Sequence, residues 1–197
     1  MADAPPAPPL VLASRSPQRK AILEQLHIPF DVVQPRYEEA TPGVGDAVEI
    51  VREHARAKAR SVTAEADDRP VLGVDTEVVL EGAIFGKPTD AADAERMLEQ
   101  LSGKTHAVMS GLCLHTSAWE VVEHEATRVT FRELTPRDLA AYLATGEWEG
   151  RAGAYAIQGF SASLVERIDG DYLNVVGLPV ALLIRLLTER GYSLRPV

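Results

Sequence analysis

The sequence predicts a mixed α/β fold, a sheet of short strands flanked by helices. Short apolar runs alternate with stretches of helical periodicity along most of the chain, and no internal repeat interrupts them. Hydrophobic residues make up 46% and charged residues 25% of the 197 positions, a globular balance that excludes general disorder. That length can bury one sizeable core, as a single domain or two closely packed lobes.

In chain order, Met1 to Pro9 is rich in Ala and Pro, without a basic or an apolar region, and reads as a disordered leader ahead of one domain from Leu10 onward. Leu10 to Ala13 is a short buried strand. Ser16 and Pro17 then suit the N-cap and first position of a helix reaching about Leu26. Phe30 to Val33 is a second strand, and Gln34 to Gly45 a Pro- and Gly-punctuated loop carrying Glu38 and Glu39. Asp46 and Glu49 have the spacing of a capping box at the start of a helix to about Val62. On that helix Val51, Ala55, Lys58 and Val62 share a face, so Lys58 points inward or into a cleft. Arg52, Arg56 and Arg60 fall on a neighbouring face, where Glu49 and Glu53 can screen them in solvent.

Val71 to Leu80 is a long strand-like run, followed by a turn at Glu81-Gly82 and the tight segment Gly86-Lys87-Pro88. Thr89 is placed to cap a helix to Leu101. His106 to Leu114 and Val121 to Phe131 read as strands, Thr135-Pro136 opens a helix to about Ala144, and Gly146 to Gly159 is a Gly-rich loop. Ser161 to Ile168 and Tyr172 to Val176 suggest two strands joined by a hairpin at Asp169-Gly170. A last helix, Leu178 to Arg190, ends where Gly191 can serve as its C′ residue.

The net charge of −9 argues against bulk nucleic acid or an anionic membrane as partner, because such surfaces reward surplus Lys and Arg. A small anion remains suitable where basic residues are locally concentrated. The single cysteine, Cys113, leaves no internal disulfide and no Cys-built zinc site, which points to a reducing, cytoplasmic setting. No run approaches the roughly 20 apolar residues of a membrane helix.

Chemistry concentrates in three places. The strand-to-helix turn at Ser14-Arg15-Ser16-Pro17 offers hydroxyls, helix-start N–H groups and the charges of Arg15, Arg19 and Lys20, a setting for an anion; taken alone it equally suits an ordinary helix cap. Asp75 is the sharper feature, since a carboxylate inside Val71 to Leu80 is costly unless a cation or strong donors meet it. A magnesium ion would satisfy it, as would backbone donors or an Arg. Lys58 and Lys87 can neutralise phosphate oxygens or run outward along their own stems. Loop carboxylates such as Glu38 and Glu39 are usually solvated, and only co-location with Asp75 would promote them. His106 lacks any HExxH or HxH partner and reads as structural. Gly103-Lys104-Thr105 is no P-loop, because Leu98 stands where the first glycine is required. Gly43-Val44-Gly45 lacks the third glycine of a dinucleotide fingerprint, and no G-x-S-x-G occurs.

Six segments in this order resemble the Maf family of nucleotide pyrophosphatases: "LASRSPQR" (Leu12 to Arg19), "GVDT" (Gly73 to Thr76), "GKP" (Gly86 to Pro88), "LSGKTH" (Leu101 to His106), "AGAYAIQG" (Ala152 to Gly159) and "NVVGLP" (Asn174 to Pro179). The resemblance runs from Leu10 to about Leu187. It implies a fold similar to inosine triphosphate pyrophosphatase, an elongated mixed sheet with two lobes around a central cleft. It also implies hydrolysis of a nucleoside triphosphate to monophosphate and pyrophosphate, and it is compatible with a homodimer.

Carried over by position, the resemblance makes Asp75 the catalytic acid and Glu39 a second carboxylate, the two holding a divalent cation, Mg2+ or Mn2+. Ser14, Arg19, Lys58 and Lys87 become polyphosphate contacts, joined by the helix start at Ser16, with Lys87 stabilising charge on the leaving pyrophosphate. The pair Thr76 and Gln158 resembles the subgroup acting on dTTP and UTP, since Gln158 can offer both donor and acceptor to a uracil edge. Gln18, at a substrate-binding position, stands where that subgroup has Arg, and Glu77 occupies a slot that is usually apolar. The implied cellular role is house-cleaning or linked to cell division. The rival reading is a nucleotide-binding regulator of septum formation without turnover.

Overall fold

A computed structural model describes residues 8–38 and 45–192. The leader expected over Met1 to Pro9 therefore falls, apart from Pro8 and Pro9, outside the described residues, and so does Glu39. One seven-stranded mixed sheet runs through the molecule. Its strands are β1 (Leu10–Ala13), β2 (Phe30–Val33), β3 (Val71–Leu80), β4 (Ala83–Phe85), β5 (Thr105–His115), β6 (Glu120–Phe131) and β7 (Val165–Asp169). The order is β2-β1-β3-β5-β6-β7, with β4 paired to β3. β1 lies parallel to both β2 and β3, while the remaining pairs are antiparallel. The helices are α1 (Pro17–Gln25), α2 (Ala47–Arg60), α3 (Ala91–Leu101), α4 (Pro136–Leu143), α5 (Tyr172–Val176) and α6 (Val180–Glu189).

Strand periodicity sorts the core. On one face of the sheet Leu72, Val74, Leu112 and Leu114 pack with Ile22 and Leu23 of α1 and Leu182, Leu183, Leu186 and Leu187 of α6. Farther along the same face Val78, Leu80, Val108, Val129 and Phe131 pack with Leu98 and Leu101 of α3 and Tyr142 of α4. The opposite face, through Val71 and Cys113, lies under Ala55 and Ala59 of α2. α2 approaches so closely that a Cβ added at Gly73 would stand 2.1 Å from the Ala55 carbonyl oxygen, and one at Gly111 2.0 Å from that of Val51. These two glycines let a helix rest on strand backbone, which fixes what its inward residues can touch.

Most elements follow the sequence reading, and several details differ for identifiable reasons. The expected hairpin does not form. Ser161 to Leu164 belongs to a 3-10 stretch, the strand begins at Val165, and Tyr172–Val176 is the short helix α5. Thr127 Oγ1 accepts from the Asp171 N–H and donates to its carbonyl, and Asp171 caps α5 through the Leu173 N–H. Asn174, fully buried, donates to Thr127 and to the Val108 carbonyl. These long-range anchors override the β propensity of Tyr172 to Val176. At α3 the cap is Asp90, which accepts from the Asp93 N–H, while Thr89 instead donates to Asp93. Asp46 caps α2 through the Val48 N–H alone, and Glu49 turns to Arg52, so no capping box forms. Arg56 and Arg60 reach past the helix to Glu120 on β6. α6 starts at Val180, and Gly191 ends it in the left-handed region as expected, with φ of +79° and Tyr192 N–H bonded to the Leu187 carbonyl.

Candidate active site

β3 carries the site because both of its neighbours on one edge stop short. β1 pairs with it as far as Gly73, and β4 joins only at Val78. Between them Val74 to Glu77 has neither strand beside it, so side chains of both faces reach one opening. A cavity of about 740 Å³ fills this gap, within the range of small-ligand sites. Ser14, Arg19, Thr76 and Lys87 line it with Lys58, Asp75 and Glu77.

Asp75 is almost fully buried, at 3% exposure, yet forms part of the cavity wall. Its Oδ1 accepts from Lys58 Nζ at 2.6 Å, and its Oδ2 stands 3.2 Å from His54 Nδ1. Burial alone would raise this carboxyl. The hydrogen bond to His54, the charge and hydrogen bond of Lys58, and the charge of Arg19 outweigh it and hold Asp75 well below the usual carboxylate range. Lys58 also donates to the Val74 carbonyl at 3.2 Å, a strand oxygen at the open edge. The expectation that Lys58 turns inward from α2 is met, at 5% exposure.

Arg19 is less a loose hook than a buried clamp. Its Nε donates to the Gly177 carbonyl at 2.9 Å, Nη1 to Ser14 Oγ at 3.3 Å and Nη2 to Thr76 Oγ1 at 3.1 Å, tying α1, the end of β1, β3 and the end of α5 together. Thr76 continues the chain to Ser110 Oγ at 2.9 Å. Ser16 caps α1, accepting from the Arg19 N–H and donating to Gln18 Oε1. The first turn of that helix therefore presents its positive end to the cavity. Lys87 is exposed on its loop, which the Gly153 N–H anchors through the Gly86 carbonyl at 3.1 Å.

The structure thus brings Ser14, Ser16, Gln18, Arg19, Lys58, Asp75, Thr76 and Lys87 to one cavity. Gln158 is exposed and does not line it. One group, His54, escaped the sequence reading, and another, Glu77, stood out there only as a charge in an apolar slot. His54, 7% exposed, sits one turn before Lys58 on the same face of α2, and its spacing from Val51 and Lys58 was the available signal. Glu77, 8% exposed, lies two residues beyond Asp75 on the same face of β3. Among the described residues, His54, Asp75 and Glu77 each offer a ligand atom within 4.8 Å of the others, a donor set able to hold a divalent cation. Tyr155 closes the far wall, its hydroxyl 2.9 Å from His106 Nε2, which confirms His106 as a packed residue away from this group.

The family model of Maf-like proteins matches residues 9–190. The chain belongs to this family. Curated relatives include a dTTP/UTP pyrophosphatase of Nitratidesulfovibrio vulgaris, 48% identical over 94% of this chain and 89% of that one. Another of the same description, from Symbiobacterium thermophilum, is 44% identical over 94% and 95% respectively. Among solved structures, the Ham1 protein of Staphylococcus aureus aligns with 63% of this chain and 72% of its own, at 14% identity and a TM-score of 0.44. In this Maf-like chain the six motifs fall on the elements around the cavity or on the strands and helices that brace it.

Proposed function

We propose that this Maf-like protein hydrolyses nucleoside triphosphates between the α and β phosphates, releasing a nucleoside monophosphate and pyrophosphate, with dTTP and UTP as preferred substrates. The observation that carries the reading is the meeting of a buried, ionised Asp75 with Lys58, Lys87 and the start of α1 on one cavity large enough for a nucleotide. The relatives' shared description supports the choice of dTTP and UTP.

A triphosphate enters against donors, since Lys87, the α1 N-terminus and the Ser14 and Ser16 hydroxyls surround the anionic tail. Arg19 holds Ser14 and Thr76 in place and adds its charge from behind them. Asp75 orients a water toward the α phosphorus. Held this far below the ordinary range it is a weak base, so positioning outweighs proton abstraction in its role. Lys58 keeps the carboxylate ionised and aimed. Mg2+ or Mn2+, when bound at the Asp75 side of the cavity, would neutralise phosphate oxygens and acidify the water. The single, buried Cys113 fits a cytoplasmic enzyme, and no described helix is long and apolar enough to cross a membrane.

The test is a panel of nucleoside triphosphates assayed for pyrophosphate release with Mg2+, with Mn2+ and with chelator. Metal-dependent release of pyrophosphate from dTTP and UTP ahead of purine nucleotides is the expected result. Release of orthophosphate, or no turnover of any nucleotide, overturns it. Nucleotide binding without turnover is the outcome that would favour a regulator of cell division over a house-cleaning enzyme.

A further inference from the structure

We infer that His54 and Glu77 join Asp75 as ligands of the divalent ion, giving a site of one imidazole and two carboxylates that prefers a first-row transition ion to Mg2+. This deepens the pyrophosphatase reading and rests on it for the use made of the ion.

Geometry is the first support. Two ligand atoms each about 2.1 Å from one ion stand roughly 3 Å apart at octahedral angles and slightly farther at tetrahedral ones. His54 Nδ1 and Asp75 Oδ2 are separated by 3.2 Å, and Glu77 completes a triad whose ligand atoms lie within 4.8 Å of one another. Asp75 can serve both cations, because Lys58 occupies Oδ1 while Oδ2 faces His54.

Placement is the second. Gly73 and Gly111 let α2 rest on the sheet backbone, so His54 is pressed against the strand position that bears Asp75. Glu77 and Asp75 are both buried and both line the cavity proposed for a triphosphate. Two carboxylates beside a polyphosphate repel it unless a cation stands between them. Lys58 is already bonded to Asp75 and to Val74, and a divalent ion beside it would add positive charge where the two carboxylates meet an incoming triphosphate.

The donor chemistry selects the ion. Mg2+ favours oxygen ligands and retains its waters, whereas imidazole nitrogen binds the later first-row ions far more readily. An imidazole ligand at His54 therefore tilts the site away from Mg2+.

Co2+ titrated into the nucleotide-free full-length protein, followed by visible absorption and by competition with Mg2+, tests this directly. One Co2+ per chain is expected, with affinity falling at least about tenfold in both His54→Leu and Glu77→Gln, and with the Co2+ over Mg2+ preference collapsing in His54→Leu. Pulsed electron paramagnetic resonance on the Mn2+-loaded unaltered protein needs no variant, and should show modulation from a directly bound imidazole nitrogen. An ion with oxygen ligands only, or Co2+ affinity unchanged in both variants, overturns the assignment. Pyrophosphate release supported by Mg2+ would survive that result, so the two readings fail separately.

Discussion

On one face of β3, Leu72, Val74, Val78 and Leu80 are packed in aliphatic clusters, with Thr76 alone breaking the run. On the other, Val71 and Gly73 give way to Asp75 and Glu77, buried to a similar degree under α2. The first face is kept dry by side chains that need no partner. The second is covered by a helix that supplies Lys58 and His54 to Asp75, while Asp75 and Glu77 still line the cavity. Their titrations show the contrast. Asp75 is held ionised by its partners, while His106, on the aliphatic side and facing Tyr155, is pushed by burial down to about 4. A buried acid is thus a matter of what faces it, and the face that meets a helix carrying cations becomes the reactive one.

The largest expected effect comes from breaking the polar face at its centre. Asp75→Asn keeps the shape but removes the charge, and kcat on dTTP or UTP should fall about 10³-fold with nucleotide binding largely retained; steady-state kinetics beside a nucleotide titration decides this, and near-normal turnover would exclude the assigned role. Next in size is the support of that face. Gly111→Val forces a side chain into the Val51 carbonyl, so α2 must lift, at a cost on the order of 4 kcal/mol read as a lower urea midpoint. A variant as stable as the parent would show that the close approach is dispensable.

The aliphatic face can be probed through pH. The folded-state value of His106 lies below its ordinary 6.5, so the unfolded chain takes up a proton that the folded one refuses. Its contribution is fully present above 6.5 and is lost as pH falls toward about 4, amounting to on the order of 3 kcal/mol. Asp75, depressed from 3.8, loses its own contribution only below that value, which keeps the two windows apart. Chemical denaturation from pH 7 to 4 should show the loss in the parent and a flatter profile in His106→Gln; parallel profiles would mean the imidazole is not the titrating group. The smallest effect is expected where the faces meet at the cleft. Thr76→Val removes the hydrogen bonds to Arg19 and Ser110, worth about 1 kcal/mol, and should appear as a several-fold rise in KM with kcat little changed.

Much of this arrangement was legible along the chain. Asp75 stood out as a carboxylate inside an apolar run, Lys58 as a cation on an apolar helix face, and Ser16-Pro17 as a helix start fit for an anion. Glu77 was visibly out of place, but its neighbour His54 sits 23 positions earlier on another element, and no periodicity links the two. The segment Tyr172 to Val176 shows the opposite failure, in which plausible strand residues are drawn into a helix by Thr127 and Asp171. Gln158, marked by motif alone, stays outside the cavity lining.

The sequence by itself determined most of the elements, the cap of α1 at Ser16 and the inward faces of α2 and β3, because hydrophobic periodicity and capping act over a few residues. Tertiary structure alone decided that β1 and β4 leave Val74 to Glu77 open between them, and that two glycines let α2 descend until His54 and Lys58 meet Asp75. Those are distances between segments remote in the chain, set by how closely backbones can pack.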